Sequence, residues 1–166
     1  MGDTKHLAGR EAIERIKELV EEIDICMFCT YENNKLISRP MSAQQVDDEG
    51  NIWFLSDKNS EKNKAITINE KVELLYAKGN AKFISIHGKA SISFDKQKIK
   101  ELWTPIAKIW FKDGEDDPNV SVIKVSFEDG YYWDTKHGRM VEMAIMAAAL
   151  LTGKTMDDGI EGTLHK

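Results

Sequence analysis

The chain of 166 residues reads as a mainly β protein, a six-stranded closed or nearly closed barrel with helices at its periphery. Three observations predict this. Six apolar segments of strand length recur, most of them joined by short Asn-, Asp- or Gly-containing turns. Helical periodicity is confined to stretches before, between and after them. The order lacks the regular strand–helix alternation of a doubly wound parallel sheet, and barrel closure removes exposed strand edges.

Arg10 to Asp24 is the clearest helix, with Ile13, Ile16, Leu19, Val20 and Ile23 recurring at spacings of three and four. Ile25 to Glu32 follows as a strand, Asn33-Asn34 as a tight turn, and Leu36 to Val46 as a second strand. Asp48-Glu49-Gly50-Asn51 turns the chain into a third strand, Asn51 to Asp57, so the first half reads as a helix and a three-strand meander. Lys58 to Asn69 is a short helix with Ala65, Ile66 and Ile68 inward. Val72 to Ala77 and Lys82 to Phe94 form a hairpin through Gly79-Asn80. Asp95 caps a helix expected to run to about Phe111, placing Trp103 and Trp110 seven apart on one packing face. Asp113 to Asn119 is an acidic loop. Ser121 to Trp133 is the last strand region, broken at Glu128-Asp129-Gly130, with Trp133 at the barrel end. A helix from Arg139 to Leu151 and a polar, mobile tail, 152–166, complete the reading. No linker or internal repeat divides the chain, so one domain is expected over residues 1–166, its core about 11–134.

Composition narrows the function classes. A net charge of -5 with scattered Lys and Arg offers no positive field for nucleic acid. The longest apolar stretch, Ala144 to Leu151, is far short of a membrane span, and the polar start is unlike a secretory signal. A cytoplasmic protein is expected. Cys26 and Cys29 have CxxC spacing but lie in a strand-like apolar run without a second ligand pair, so both read as core residues. Gly153-Lys154-Thr155 lacks the preceding glycine of a phosphate loop, since position 148 is Ala148. His6, His87, His137 and His165 have no ligand spacing, and no metal is expected.

The segment from Ser38 to Lys64 carries the chemistry. Arg39 sits mid-strand among apolar neighbours, where a guanidinium is costly to bury without an anion. Ser56 ends the next strand, and Ser60 and Lys62 open the following helix, where free N–H groups and the helix dipole favour negative charge. Together Arg39, Ser56, Ser60 and Lys62 have the chemistry of a phosphate clamp. A plainer reading stays open: Arg39 pairs with a carboxylate at the core edge, and Ser60 only caps its helix.

These motifs occur in order: Arg39-Pro40-Met41, Ile52-Trp53-Phe54-Leu55-Ser56, Ser60-Glu61-Lys62, Asn69, then Trp110-Phe111, Asp116-Asp117-Pro118 and Tyr132-Trp133-Asp134. The set resembles the pyridoxamine 5'-phosphate oxidase-like flavoproteins, and within them the general stress protein 26 group, from about Glu11 to Asp134. The resemblance implies a split β-barrel that forms a homodimer with FMN at the interface. It implies Arg39 and Lys62 on the FMN phosphate with Ser56 and Ser60 assisting, the backbone of Pro40, Met41 and Ser42 beside the flavin ring, and Leu55 nearby. Glu61 departs from members with a second basic residue there. The ending around Arg139 differs from the Arg-x-His segment of true oxidases, which argues against oxidation of pyridoxamine phosphate. FMN-dependent oxidoreduction of an unidentified small molecule is the expected function. The alternatives are flavin storage or sensing without turnover and, behind them, a relative using deazaflavin or haem.

Overall fold

A computed structural model of the chain describes residues 3–79, 82–135 and 159–166. Helix α1 (Gly9–Ile23) follows two short strands, β1 (Asp3–Thr4) and β2 (Leu7–Ala8). It buries Ala12, Ile16, Leu19 and Val20 and ends at Asp24, whose φ of 70° turns the chain sharply into the sheet. Strands β3 (Ile25–Glu32) and β4 (Lys35–Ser42) form a hairpin over Asn33-Asn34, with φ of 50° and 61°. Two consecutive positive φ values match the right-handed strand twist, and Asn tolerates them. This turn fixes the register that sets Arg39 opposite Phe28.

The chain leaves β4 at Ala43-Gln44 and re-enters the sheet as β5 (Gln45–Val46), which pairs back on β6 (Asn51–Asp57). Helix α2 (Glu61–Ile68) leads to the hairpin β7 (Lys71–Lys78) and β8 (Lys82–Ser93). After α3 (Lys96–Leu102), strand β9 (Val120–Thr135) pairs with β8 along its length. The other edge of β9 holds β6 over Val120–Ser126 and β10 (Gly159–His165) over Asp129–Thr135. One long strand therefore carries both ends of the molecule.

The structure corrects the expected architecture in several places. Ten strands, not six, are present among the described residues, the additions being β1, β2, β5 and β10. Among the described residues the sheet is not closed, because β4 pairs only with β3, and β6 pairs with β9 rather than continuing a meander from β4. Part of the expected tail is strand β10, with Leu164 fully buried in the core. The expected helix from Asp95 to Phe111 stops at Leu102. Pro105 disfavours helical backbone at Thr104, which is extended, and a 3-10 turn, Pro105–Ile109, follows. Trp103 packs near Phe111 at 6.2 Å, whereas Ile106, Ile109 and Trp110 are exposed, so the two tryptophans share no helical face. Ile68, expected inward, is exposed on the last turn of α2. The segment Glu128-Asp129-Gly130 does not break β9. It holds a bulge, with Glu128 the extra residue opposite His87 and Gly88. The expected helix over 139–151 lies outside the described residues.

The principal core joins α1 to the inner sheet face through Ile16, Leu19, Phe28, Ile52, Phe54, Leu74 and Val125. Phe28 and Phe54 meet edge-to-face with centroids 5.2 Å apart. A second cluster under α3 gathers Ile99, Leu102, Phe111, Val120 and Val122, with Trp53 and Leu55 against it. Strand β6 alternates between the two. That alternation turns Ser56 toward the side of Phe54, away from Leu55.

Candidate functional site

The candidate site forms where the end of β6, the start of α2 and the inner face of the β3–β4 hairpin approach one another. Ser60 is the N-cap of α2, extended at φ −64° and ψ 147°, and its hydroxyl accepts from the Asn63 N–H at 3.2 Å. This orientation buries Lys62 and Asn63 one turn in. Ser56 lies opposite Ser121 on β9. Four side chains then interlock. Lys62 Nζ donates to Ser56 Oγ at 2.7 Å, and Ser56 Oγ donates to Asn63 Oδ1 at 2.8 Å. Asn63 Nδ2 donates to Ser121 Oγ at 2.9 Å, which donates to the Ser56 carbonyl at 2.9 Å. Ser56, Lys62, Asn63 and Ser121 are all buried.

Lys62 is the anomaly in this network. It is 6% exposed and makes no ion pair with a carboxylate among the described residues. An ammonium has three donors, and Ser56 Oγ is its hydrogen-bond partner here. Burial and, after it, the nearby Arg39 guanidinium push Lys62 from its ordinary 10.5 down to about 8, with Asp57 opposing. Two cations therefore face one region.

Arg39 projects from β4 across the inner face of β3. It donates to Thr30 Oγ1 at 2.8 Å and to Glu32 Oε1 at 2.6 Å. Thr30 Oγ1 donates to the same carboxylate oxygen at 2.9 Å. Glu32 is held below its ordinary carboxyl value by the hydrogen bond from Arg39 and then by that from Thr30.

Both parts of the plainer sequence reading are thus present: Arg39 has a carboxylate partner, and Ser60 caps its helix. Neither accounts for Lys62. The structure brings Ser56, Ser60 and Lys62 into direct contact and sets Arg39 close enough for its charge to act on Lys62. Met41 joins the principal core, while Pro40 and Ser42 are exposed on the outer face, Ser42 Oγ donating to Asp24 Oδ1 at 2.7 Å. Leu55 packs on the second cluster rather than toward Lys62. The free edge of β4, residues 35–42, has no strand partner among the described residues.

Sequence reasoning did not find Glu32, Thr30, Asn63 or Ser121. The first two were accessible, since the register set by Asn33-Asn34 places Arg39 opposite Phe28 and diagonal to Thr30. Ser121 was not, because its pairing with Ser56 spans 65 residues. Cys26 and Cys29 are both buried, and their spacing of three along β3 turns the thiols to opposite faces. Burial pushes Cys26 up to about 12. Among the described residues no cluster of His, Cys, Asp or Glu is arranged to hold a metal. Nor is any helix there long and apolar enough to cross a membrane. A groove of about 440 Å³ between α1 and the β4–β5 turn is lined by Lys17, Glu21, Asp24, Gln44 and Gln45, and is separate from the Lys62 network.

A mainly β chain with an open sheet and a buried lysine at a helix start has known relatives. The model of the family described as pyridoxamine 5'-phosphate oxidase like matches residues 11–157. The chain belongs to that family. It is 26% identical over 129 residues to protein bli-3 of Neurospora crassa, covering 72% of this chain. It spans 62% of the length of that relative. Over 121 residues it is 25% identical to general stress protein 26 of Bacillus subtilis, covering 70% of this chain and 84% of that protein. Among solved structures, a general stress protein 26 from Jannaschia sp. CCS1 aligns with a TM-score of 0.78 at 26% identity, covering 95% of this chain and all of that one. A general stress FMN/FAD binding protein from Xanthomonas citri shares the fold, with a TM-score of 0.67 at 23% identity over 78% of this chain and 93% of that one.

Proposed function

We propose that this chain is a cytoplasmic FMN-binding protein that acts as a homodimer and transfers electrons to or from an unidentified small molecule. The observation that carries it is Lys62, a buried ammonium without a carboxylate partner among the described residues, beside Arg39. Uncompensated positive charge of this kind fits a dianionic phosphate, which can accept from Lys62, from the Arg39 fork and from the hydroxyls of Ser56 and Ser60. The flavin-binding relative from Xanthomonas citri, alike in fold, supports FMN as the bearer of that phosphate. The edge of β4 at Pro40, Met41 and Ser42, unpaired among the described residues, offers backbone groups to the ring, and bound flavin would supply the redox chemistry. Ser56 holds the Lys62 ammonium in place, and Asn63 and Ser121 fix Ser56.

The dimer reading rests on the outer sheet face. Met27 and Leu75 are cross-strand neighbours there, as are Phe83 and Trp133, and all four are between 38% and 42% exposed. A second copy would cover this stripe. A carrier that binds flavin without turnover would use the same phosphate groups, and NAD(P)H oxidation by the flavin-loaded protein separates the two.

The test is titration of the full chain with FMN, following flavin fluorescence and absorbance, with sedimentation in parallel. Saturation at one FMN per chain and a mass of two chains are expected. Arg39→Ala with Lys62→Ala should abolish FMN binding and keep the fold. Unchanged FMN affinity in that double variant would refute the assignment.

A further inference from the structure

Arg39 and Lys62 face one region but are treated differently by the chain. Arg39 sends two hydrogen bonds back to its own hairpin, to Thr30 Oγ1 and Glu32 Oε1, while Lys62 meets no carboxylate among the described residues. The Glu32 oxygen collects two donors, at 2.6 Å from Arg39 and 2.9 Å from Thr30. It therefore has the hydrogen-bonding role that an oxygen of a bound anion would have on the same guanidinium. Glu32 ends β3 beside the Asn33-Asn34 turn and is 30% exposed. Water can solvate it once it lets go, so release costs little.

We propose that Glu32 is an internal competitor for the ligand's phosphate: it occupies Arg39 in the empty chain, and binding exchanges its carboxylate for a phosphate oxygen. The proposal rests on the phosphate-clamp reading of the site. It makes Glu32 a specificity-determining residue. A ligand carrying a dianion gains from Lys62 and Arg39 together and can displace one carboxylate. A ligand without a phosphate has nothing to exchange.

Glu32→Gln keeps the shape and the acceptor oxygen but removes the charge. FMN and riboflavin would be titrated against wild type, Glu32→Gln and Glu32→Asp, with circular dichroism confirming the fold of each. Glu32→Gln should bind FMN roughly three- to fivefold more tightly, the scale of one partly exposed ion pair. Riboflavin affinity should not change, and Glu32→Asp, which keeps the charge, should not tighten FMN. Binding by Glu32→Gln but not by wild type would be the same effect at its extreme. Weaker or equal FMN binding in Glu32→Gln, with wild type saturating normally, would overturn the competitor role and leave the clamp standing. An equal gain for riboflavin would overturn it too. No saturable FMN binding in any of the three proteins would remove the flavin reading and this proposal together.

Discussion

Replacing Lys62 by Met should make the ligand-free protein more stable. Burial and the Arg39 charge bring the ammonium from 10.5 down to about 8. That difference makes its charged form about 3 kcal/mol less favourable in the folded chain than in the unfolded one. Methionine fills a similar volume without charge but forfeits the hydrogen bond to Ser56 Oγ, worth about 1 kcal/mol. The net gain near neutral pH is about 2 kcal/mol. For a chain of this size that raises the thermal midpoint by roughly 4–8 °C.

The pH dependence gives the sharper check. Because the folded-state value is depressed, the folded chain binds fewer protons than the unfolded chain between about 8 and 10.5. The destabilisation by Lys62 is full below that window and disappears as pH rises through it. The advantage of Lys62→Met should therefore be constant below about pH 8, shrink as pH rises, and give way above about pH 10.5 to a wild-type advantage of about 1 kcal/mol, the hydrogen bond to Ser56 that methionine lacks. Cys26, pushed up to about 12, has the opposite sign in alkali, but it is present in both proteins and cancels in the difference. Urea denaturation of both proteins across pH reads the quantity directly. A variant no more stable than wild type at neutral pH, or an advantage that does not vary with pH, would refute the placement of a charged Lys62 in this buried network.

Two further outcomes test the frame around the site. Gly130→Ala on β9 should destabilise the fold by about 2 kcal/mol or more, because an added Cβ would lie 2.5 Å from the Ser85 carbonyl oxygen of the paired strand; a thermal midpoint equal to wild type would contradict that close approach. His87 on β8 sits between Asp129, 2.7 Å from Nδ1, and Glu73, 3.4 Å from Nε2, and its value is raised above 6.5 chiefly by the hydrogen bond to Asp129. Its stabilisation is fully present below pH 6.5 and lost as pH rises through the raised value, so the wild-type advantage over His87→Gln should shrink on going to alkaline pH. Equal stability differences at both ends of that range would remove the charged pairings.

The parts of the fold legible in the sequence were those decided locally. Helix α1 announced itself because its apolar residues repeat at the helical period and its burial follows them. The β3–β4 hairpin was legible because Asn33-Asn34 suits a turn with two positive φ values. What failed was decided at a distance. Strand β10 looked polar because Glu161, Thr163 and His165 alternate with residues such as Leu164, and only pairing with β9 makes that pattern a strand. Ile106 and Ile109 fit a continuing helix by spacing, yet Pro105 overrode the period. The open sheet was likewise invisible, since pairing β6 with β9 instead of β4 is a choice among long-range partners.

The site divides in the same way, and the division bears on what each residue is for. Arg39 was suspicious in the sequence as a charge within a strand, but the structure supplies it with Glu32. Lys62 drew notice in the sequence only as a clamp member at a helix start, but the structure buries it without a carboxylate partner among the described residues. Of the two clamp cations, the one within a strand is compensated by a carboxylate, and the one at the helix start has no such partner among the described residues. A network that spends four side chains, Lys62, Ser56, Asn63 and Ser121, on holding an uncompensated cation runs against stability. A bound dianion would reverse that cost by restoring the Lys62 ammonium toward its ordinary value. The stabilisation by FMN should then exceed that by riboflavin through Lys62, and removing Lys62 should bring the two ligands closer to parity. The same side chain that weakens the empty chain is the reason to expect a phosphate in it.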